Sequence, residues 1–205
     1  AYMLTELRVI TTYIRLFFFP INLNFDYDYP KYQSLFNPQV FLSFLFLFSI
    51  FGLGVYLFKV SVISVSGSED KLTMRTDTVP HLRLIAFGIL WFFIALSVES
   101  FAVVLDFVIF EYRAYLPSIG LMIALAGILG YMAERMKGKA LGIIVISTAL
   151  LFSTGTYARN EVLRDDVSLW KDVIEKSPLN ITAHYNRGNI YTSKGQFLEA
   201  VEEYR

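Results

Sequence analysis

The sequence predicts an all-α protein, a multi-pass bundle of transmembrane helices that gives way to a water-exposed helical region. Three observations predict it. Of the 205 residues, 55% are hydrophobic and 17% aromatic, against about 45–50% apolar in a soluble domain. The apolar residues come in blocks of about 20, the length a helix needs to cross roughly 30 Å of hydrocarbon. From Tyr157 onward the blocks stop and the chain becomes charged and amphipathic, so one region belongs in lipid and another in water.

The first element covers 3–18, MLTELRVITTYIRLFF. Thr5, Arg8, Thr12 and Arg15 share one helix face, and Leu7, Ile10, Ile14 and Phe17 share the other. The polar face is too rich for a lipid-exposed span. It reads as a helix lying in the membrane interface; the alternative is a helix packed in the bundle with its arginines lining a cavity. Pro20 stops it. A loop over 20–38 follows, with Pro20, Pro30 and Pro38 and with Tyr27, Tyr29 and Tyr32, a residue type favoured at the membrane–water boundary. Asp26 and Asp28 have the spacing of a metal-binding pair, but two acids so spaced are common by chance, and no metal is expected.

Four spans come next, at about 40–58, 84–104, 116–132 and 140–154. In the first, Gly52 and Gly54 are expected to allow close helix approach. The loop between the first two spans carries Lys59, Lys71, Arg75 and Arg83, and the turn between the last two carries Arg135, Lys137 and Lys139. Short cytoplasmic loops collect Lys and Arg, so these two face the cytoplasm. The N-terminal segment, the 105–115 turn and the C-terminal tail then face the other side, a periplasm or a lumen. This gives three regions: 1–38, an interfacial helix and extracytoplasmic loop; 39–156, four transmembrane helices; and 157–205, a linker helix and a first repeat.

The tail fits a TPR unit, a helix pair of about 34 residues with small residues where helices touch. With Ile181 as the first position, Gly188, Tyr191, Ala200 and Tyr204 fall on the consensus positions, Gly195 lies at the turn and Phe197 opens the second helix. One unit earlier, Trp170 takes the aromatic position and Pro178 the closing one, on a capping helix at about 167–176. The other reading is an ordinary helical hairpin. The whole is thus an all-α multi-pass transmembrane helix bundle followed by a TPR helical repeat region. The chain starts at Ala1 without a signal-peptide pattern and stops at Arg205 inside an amphipathic stretch, so it is expected to belong to a longer protein with more repeats.

Eighteen basic and eighteen acidic residues balance to a net charge of +0, which makes no case for nucleic acid. Without cysteine there is neither a disulfide framework nor a thiolate metal site. His81 and His184 lie too far apart to suggest a metal site. Ionisable residues at the edge of a bilayer are costly and often functional. They cluster in ESFAVVLDFVIFEYRAYLPS, residues 99–118: Glu99, Asp106, Glu111 and Arg113, with Tyr115 following. One reading is a structural ion pair that pins a turn at the interface. The other is a site for an anionic lipid headgroup, with Arg113 making bidentate contacts to phosphate and Tyr115 adding a hydroxyl. Glu99 and Asp106 would support either.

The run Glu111-Tyr-Arg113-Ala-Tyr115-Leu-Pro117-Ser118 resembles the E-x-R-x-YLPS segment of the transmembrane and TPR-containing O-mannosyltransferases and of bacterial membrane proteins of the same plan. Residues 13–30, YIRLFFFPINLNFDYDYP, resemble the Y-x-R-L-x-x-x-P-x-x-L-x-x-D-Y segment before their later spans. Residues 159–180 resemble the linker that opens their TPR array. Eukaryotic members read A-E-R before YLPS, where this chain has Phe110-Glu111-Tyr112-Arg113. The resemblance implies a GT-C type glycosyltransferase. Its donor would be a polyprenyl-phosphate-linked sugar and its acceptor a protein hydroxyl, with repeats that bind the acceptor or a partner protein. Its catalytic acid would lie in a first extracytoplasmic loop that nothing here matches, so no catalytic residue is assigned. The tail tilts the location to a bacterial inner membrane with the repeats in the periplasm. The alternative is a non-catalytic, membrane-anchored TPR scaffold.

Overall fold

The computed structural model describes residues 2–66, 78–102, 111–135 and 138–205, with backbone only at 64–66, 99–102, 111, 112 and 138. Among these the regular elements are all helical: α1 (Tyr2–Phe18), α2 (Pro38–Ser66), α3 (Thr78–Ala102), a 3-10 turn (Glu111–Ala114), α4 (Tyr115–Arg135), α5 (Gly138–Val162), α6 (Asp166–Lys176), α7 (Ile181–Ser193) and α8 (Phe197–Glu203).

Helices α2 to α5 each contain a stretch long and apolar enough to cross a membrane, the shortest being 21 residues. Such a helix rises roughly 30 Å, the thickness of a hydrocarbon core. The chain is an integral membrane protein. These helices outrun the spans read from hydropathy: α2 runs on to Ser66 and α5 to Val162, and α3 takes in His81 and Arg83. Hydropathy marks only the part that needs lipid, while the backbone hydrogen-bond ladder runs on into polar surroundings.

Bulky side chains of α2, among them Leu42, Phe48 and Phe58, point outward. Between lipid-facing helices there is no hydrophobic drive, and contact depends on small residues that let backbones approach. The α3–α4 seam is built this way. A Cβ added at Gly88 would strike the Gly120 carbonyl and lie 2.5 Å from the Ala124 amide nitrogen. Gly127 faces Ile85, and Gly130 faces the His81 ring. That ring closes the far end of the seam with a 2.8 Å contact from Nε2 to Glu134 Oε1. In α2 only Gly54 meets a neighbour, Ile89 on α3, while Gly52 faces open space. The expectation that both glycines bring helices together therefore holds for Gly54 alone. Helix α5 is outward-facing along its apolar length.

Helix α1 packs on α2, and its buried face is Thr5, Glu6, Val9, Tyr13, Ile14 and Leu16. Val9, Tyr13 and Ile14 form one core with Leu47 of α2 and with Phe92 and Leu96 of α3. The buried arc is thus rotated from the Leu7/Ile10/Ile14/Phe17 face expected of a helix lying on the membrane. Two polar residues lie inside it because each finds polar company: Thr5 Oγ1 accepts from the Tyr32 amide at 3.0 Å, and Glu6 faces Arg113.

Helices α6, α7 and α8 pack in sequence. Asp165 caps α6 by accepting from the Val167 amide at 2.8 Å, and Asn180 caps α7 by accepting from the Ala183 amide at 2.9 Å. Such caps satisfy amides that lack an intrahelical partner. Gly195 takes φ +74° in the α7–α8 turn, where a Cβ would be strained. Gly188 lets the Tyr204 ring lie against α7; a Cβ there would sit 2.5 Å from Cε1. Ala200 is buried, Phe197 is the first residue of α8, and the Tyr191 carbonyl accepts from the Gln196 amide at 2.9 Å.

Two carboxylates tie neighbouring helices together, Asp172 joining α6 to α5 and Glu203 joining α8 to α7. Asp172 sits between Arg159 Nη1 and Lys176 Nζ, each at 2.6 Å, and Glu203 between Arg187 and His184. Burial would raise both pKa values, but the adjacent cations win and hold both below their ordinary values. A carboxylate so depressed adds stability above its unfolded pKa and loses it as pH falls through the folded value. The helical tail is therefore expected to lose thermal stability once pH drops below the ordinary values of 4.5 for Glu203 and 3.8 for Asp172. Melting curves across this range check it. Asp172→Asn and Glu203→Gln should each lower the neutral-pH melting temperature and flatten the acid decline.

Candidate functional site at the α1 end of the bundle

The 3-10 turn Glu111–Ala114 runs directly into α4. Pro117 lies in the first helical turn, where a missing amide hydrogen is harmless, and Ser118 Oγ donates to the Tyr115 carbonyl at 2.7 Å. Trp91 of α3 donates from Nε1 to the Leu116 carbonyl at 3.4 Å. Arg113, three residues before Leu116, is turned inward and is only 8% exposed.

Arg113 faces α1. Burial alone would lower its pKa, but the Tyr2 phenol, Tyr13 and the Glu6 carboxylate raise it above its ordinary value, so the guanidinium keeps its charge. Burial and then Glu6 push the Tyr2 phenol up, with Arg113 working against them. The geometry is that of a compensated buried cation.

Tyr115 goes the other way and is 78% exposed. With Tyr13, Leu16 and Phe17 of α1, and with Phe92 and Leu121, it lines an apolar cavity of about 460 Å³. The residues grouped by sequence as one site are thus divided between a buried polar cluster at Arg113 and an apolar cavity at Tyr115. Asp106 lies outside the described residues, and Glu99 and Glu111 are described in backbone only. Sequence reasoning missed Glu6. Its signal is a carboxylate in helical register with Val9 and Tyr13, which share its buried face.

The loop after α1 docks on the tail. Asn24 is 2% exposed, and its Nδ2 donates to Ser177 Oγ at 3.0 Å. Lys176 Nζ donates to the Leu23 carbonyl at 2.6 Å, Ser177 Oγ also accepts from the Asp28 amide at 3.4 Å, and Asn180 Nδ2 donates to the Asp26 carbonyl at 3.5 Å. Phe25 meets Trp170 edge-on, with centroids 5.6 Å apart. So Trp170 serves the dock, and the Pro178 carbonyl takes the His184 ring at 3.1 Å. The Asp26–Asp28 pair enters through its backbone, and among the described residues no group of acids and histidines is placed to hold a metal.

Asn24→Ala removes a buried hydrogen bond, worth about 1–3 kcal/mol when its partner is left buried. Amide exchange in α6 is expected to accelerate by about tenfold or more, with α3 and α4 unchanged, as hydrogen–deuterium exchange would read.

Comparison with known proteins supplies relatives. The human protein O-mannosyl-transferase TMTC1 is 30% identical over 102 residues, 48% of this chain and 12% of that protein. The Caenorhabditis elegans protein O-mannosyl-transferase F38B6.6 is 26% identical over 186 residues, 90% of this chain and 24% of its own length. The human protein O-mannosyl-transferase TMTC4 is 30% identical over 99 residues, 48% of this chain and 13% of that protein. All three relatives are named as protein O-mannosyl-transferases. The chain spans a quarter or less of their length. No family model and no solved structure matches it.

Proposed function

We propose that this chain is part of a glycosyltransferase that moves a sugar from a polyprenyl-phosphate carrier to protein hydroxyls at the extracytoplasmic face. One observation carries the reading. The match to the Caenorhabditis elegans protein O-mannosyl-transferase covers 90% of the chain, so it takes in the apolar helices together with most of the tail. In such a reaction the bond from the sugar's anomeric carbon to phosphate oxygen breaks, a bond to the acceptor oxygen forms, and the acceptor proton passes to a base. We assign no residue of this chain as that base. The division into an interfacial segment, four spans and a TPR start belongs to the same reading, as does a GT-C type of enzyme.

Each part then has a task. Arg113, compensated by Glu6, fixes the YLPS turn against α1. The cavity beside Tyr115 takes the apolar carrier. The docked loop holds the tail, read as the first TPR repeat, close to that cavity, where it presents an acceptor protein. The α1 end faces away from the basic loops, toward a periplasm or lumen.

A second reading, a non-catalytic scaffold, draws on the exposed Leu179, Ile181, Phe197 and Leu198 of the tail, which suit a protein partner. Membranes containing the full-length protein, supplied with polyprenyl-phosphate mannose and exported acceptor proteins, separate the two. Transfer that drops when Leu121→Trp fills the cavity supports the enzyme. No transfer with any donor, from protein shown to be folded, supports the scaffold.

A further inference from the structure

We propose that α1 carries a phosphate site on the face turned away from Arg113, a groove of Arg8, Thr12 and Arg15 with Tyr29 that holds the phosphate of a lipid carrier. It deepens the proposed function and rests on that reading only for which lipid is bound.

The groove encloses about 370 Å³ and is lined by Arg8, Thr11, Thr12, Arg15, Tyr27 and Tyr29. Arg8 and Arg15 are two helical turns apart and so share a face. Among the described residues neither is in an ion pair. This sets them apart from Arg113, Arg159 and Arg187, each of which has a carboxylate beside it. Arg8 Nη1 donates to Ser43 Oγ at 3.3 Å, while its Nε is buried with no acceptor among the described residues. A buried charged donor left unmatched is costly, and an anionic oxygen would satisfy it. Thr12 Oγ1 donates to the Arg8 carbonyl at 2.9 Å and lies 3.2 Å from the Tyr29 hydroxyl, so the phenol is the hydroxyl of this pair whose proton is left to turn to an anion beside the two guanidiniums. Asp26 and Asp28, on the same loop, do not line the groove. Two forked cations, the Tyr29 phenol and no carboxylate in the lining make a phosphate site rather than a cation site.

Position selects a lipid phosphate over a free one. The opposite side of α1 is packed into the bundle core through Val9, Tyr13 and Ile14. Just beyond Arg15, Phe18, Phe19 and Ile21 are exposed, an apolar edge next in the chain to Leu16, Phe17 and Leu23 of the Tyr115 cavity, which takes the chain of the same molecule.

The test is equilibrium binding by the full-length protein in detergent, with radiolabelled polyprenyl monophosphate, polyprenol of equal length, and inorganic phosphate as competitor. Wild type should prefer the phosphate lipid to the alcohol. The double variant Arg8→Gln with Arg15→Gln should bind the phosphate lipid at least about tenfold more weakly and the alcohol unchanged, since each charge-assisted contact is worth about a factor of ten or more. Tyr29→Phe, a milder change, should weaken binding several-fold should the double variant not fold. Equal binding of both lipids by wild type, or unchanged phosphate-lipid binding in the variants, would overturn the site. So would displacement by inorganic phosphate at the lipid's own concentration, which would mark a free-phosphate site. Binding is read without sugar transfer, so the two ideas fail separately. Transfer with unaltered binding in the variants removes the site and keeps the function, and selective binding without transfer does the reverse.

Discussion

Gly88→Leu is expected to eliminate the folded bundle. At Gly88 the obstacles to a side chain are the Gly120 carbonyl, the Ala124 amide nitrogen at 2.5 Å and the Ala124 Cβ at 2.9 Å. At Gly120 they are the Gly88 carbonyl at 2.5 Å and the Phe92 amide nitrogen at 2.8 Å. Most of these are backbone atoms, which cannot rotate aside, so a side chain at either position must part α3 from α4 along the seam. Overpacking that side chains can absorb costs about 1–3 kcal/mol, and a rigid backbone obstacle should exceed it. Moreover, lipid tails solvate separated helices as well as the helices solvate each other, so lost packing has no hydrophobic replacement. The recovery of monodisperse protein by size-exclusion chromatography in detergent should fall to near zero for Gly88→Leu and for Gly120→Leu. Gly52→Leu is the control, since nothing lies within 4 Å of its added Cβ, and recovery should match wild type.

Arg113→Gln should release α1 from the bundle. The guanidinium is buried against Glu6, Tyr2 and Tyr13, and Glu6 is itself 6% exposed. Removing one member of a buried charged cluster costs about 3–5 kcal/mol, because the other charge stays buried without compensation. The readout is a lower melting temperature, together with loss of cross-linking between cysteines placed at Val9 and Leu47, which share the core. Glu6→Gln in the same chain should restore part of the loss, giving a coupling of about 1 kcal/mol or more in a double-mutant cycle. Were Arg113 solely a lipid ligand, the melting temperature would be unchanged and no coupling would appear.

Periodicity and hydropathy made the architecture legible. Twenty-residue apolar blocks marked four spans, Pro20 marked the end of α1, and Gly195 with Phe197 marked the α7–α8 turn. What they could not supply was the identity of partners across long separations. Asn24 and Ser177 are 153 residues apart, and neither residue type announces burial. Glu6 and Arg113 meet only because the 3-10 turn before α4 aims an arginine back at α1. Patterning groups residues by helix face but does not say which face meets the bundle, so the buried arc of α1 was read rotated from the one observed. Gly52 and Gly54 make the same point, since a glycine two residues away faces open space and only the neighbouring helix decides which one matters. Gly120 and Ala124 of α4 are plain small residues in the sequence, but their register against Gly88 came from the fold.

In the proposed function α1, the YLPS segment and the helical tail work together on the side opposite the basic loops. The chain has no cysteine, so single cysteines introduced at Phe36, in the loop before α2, at Lys194, in the tail, and at Lys137, between α4 and α5, report one position each. Labelling sealed, right-side-out membrane preparations of the full-length protein with a membrane-impermeant maleimide is the most direct test. The cysteines at 36 and 194 should be labelled from the extracytoplasmic side and the one at 137 only after the membrane is opened. Labelling of position 194 together with 137, and apart from 36, would contradict it, because a tail on the cytoplasmic side could not dock on the loop or present an acceptor to this end of the bundle.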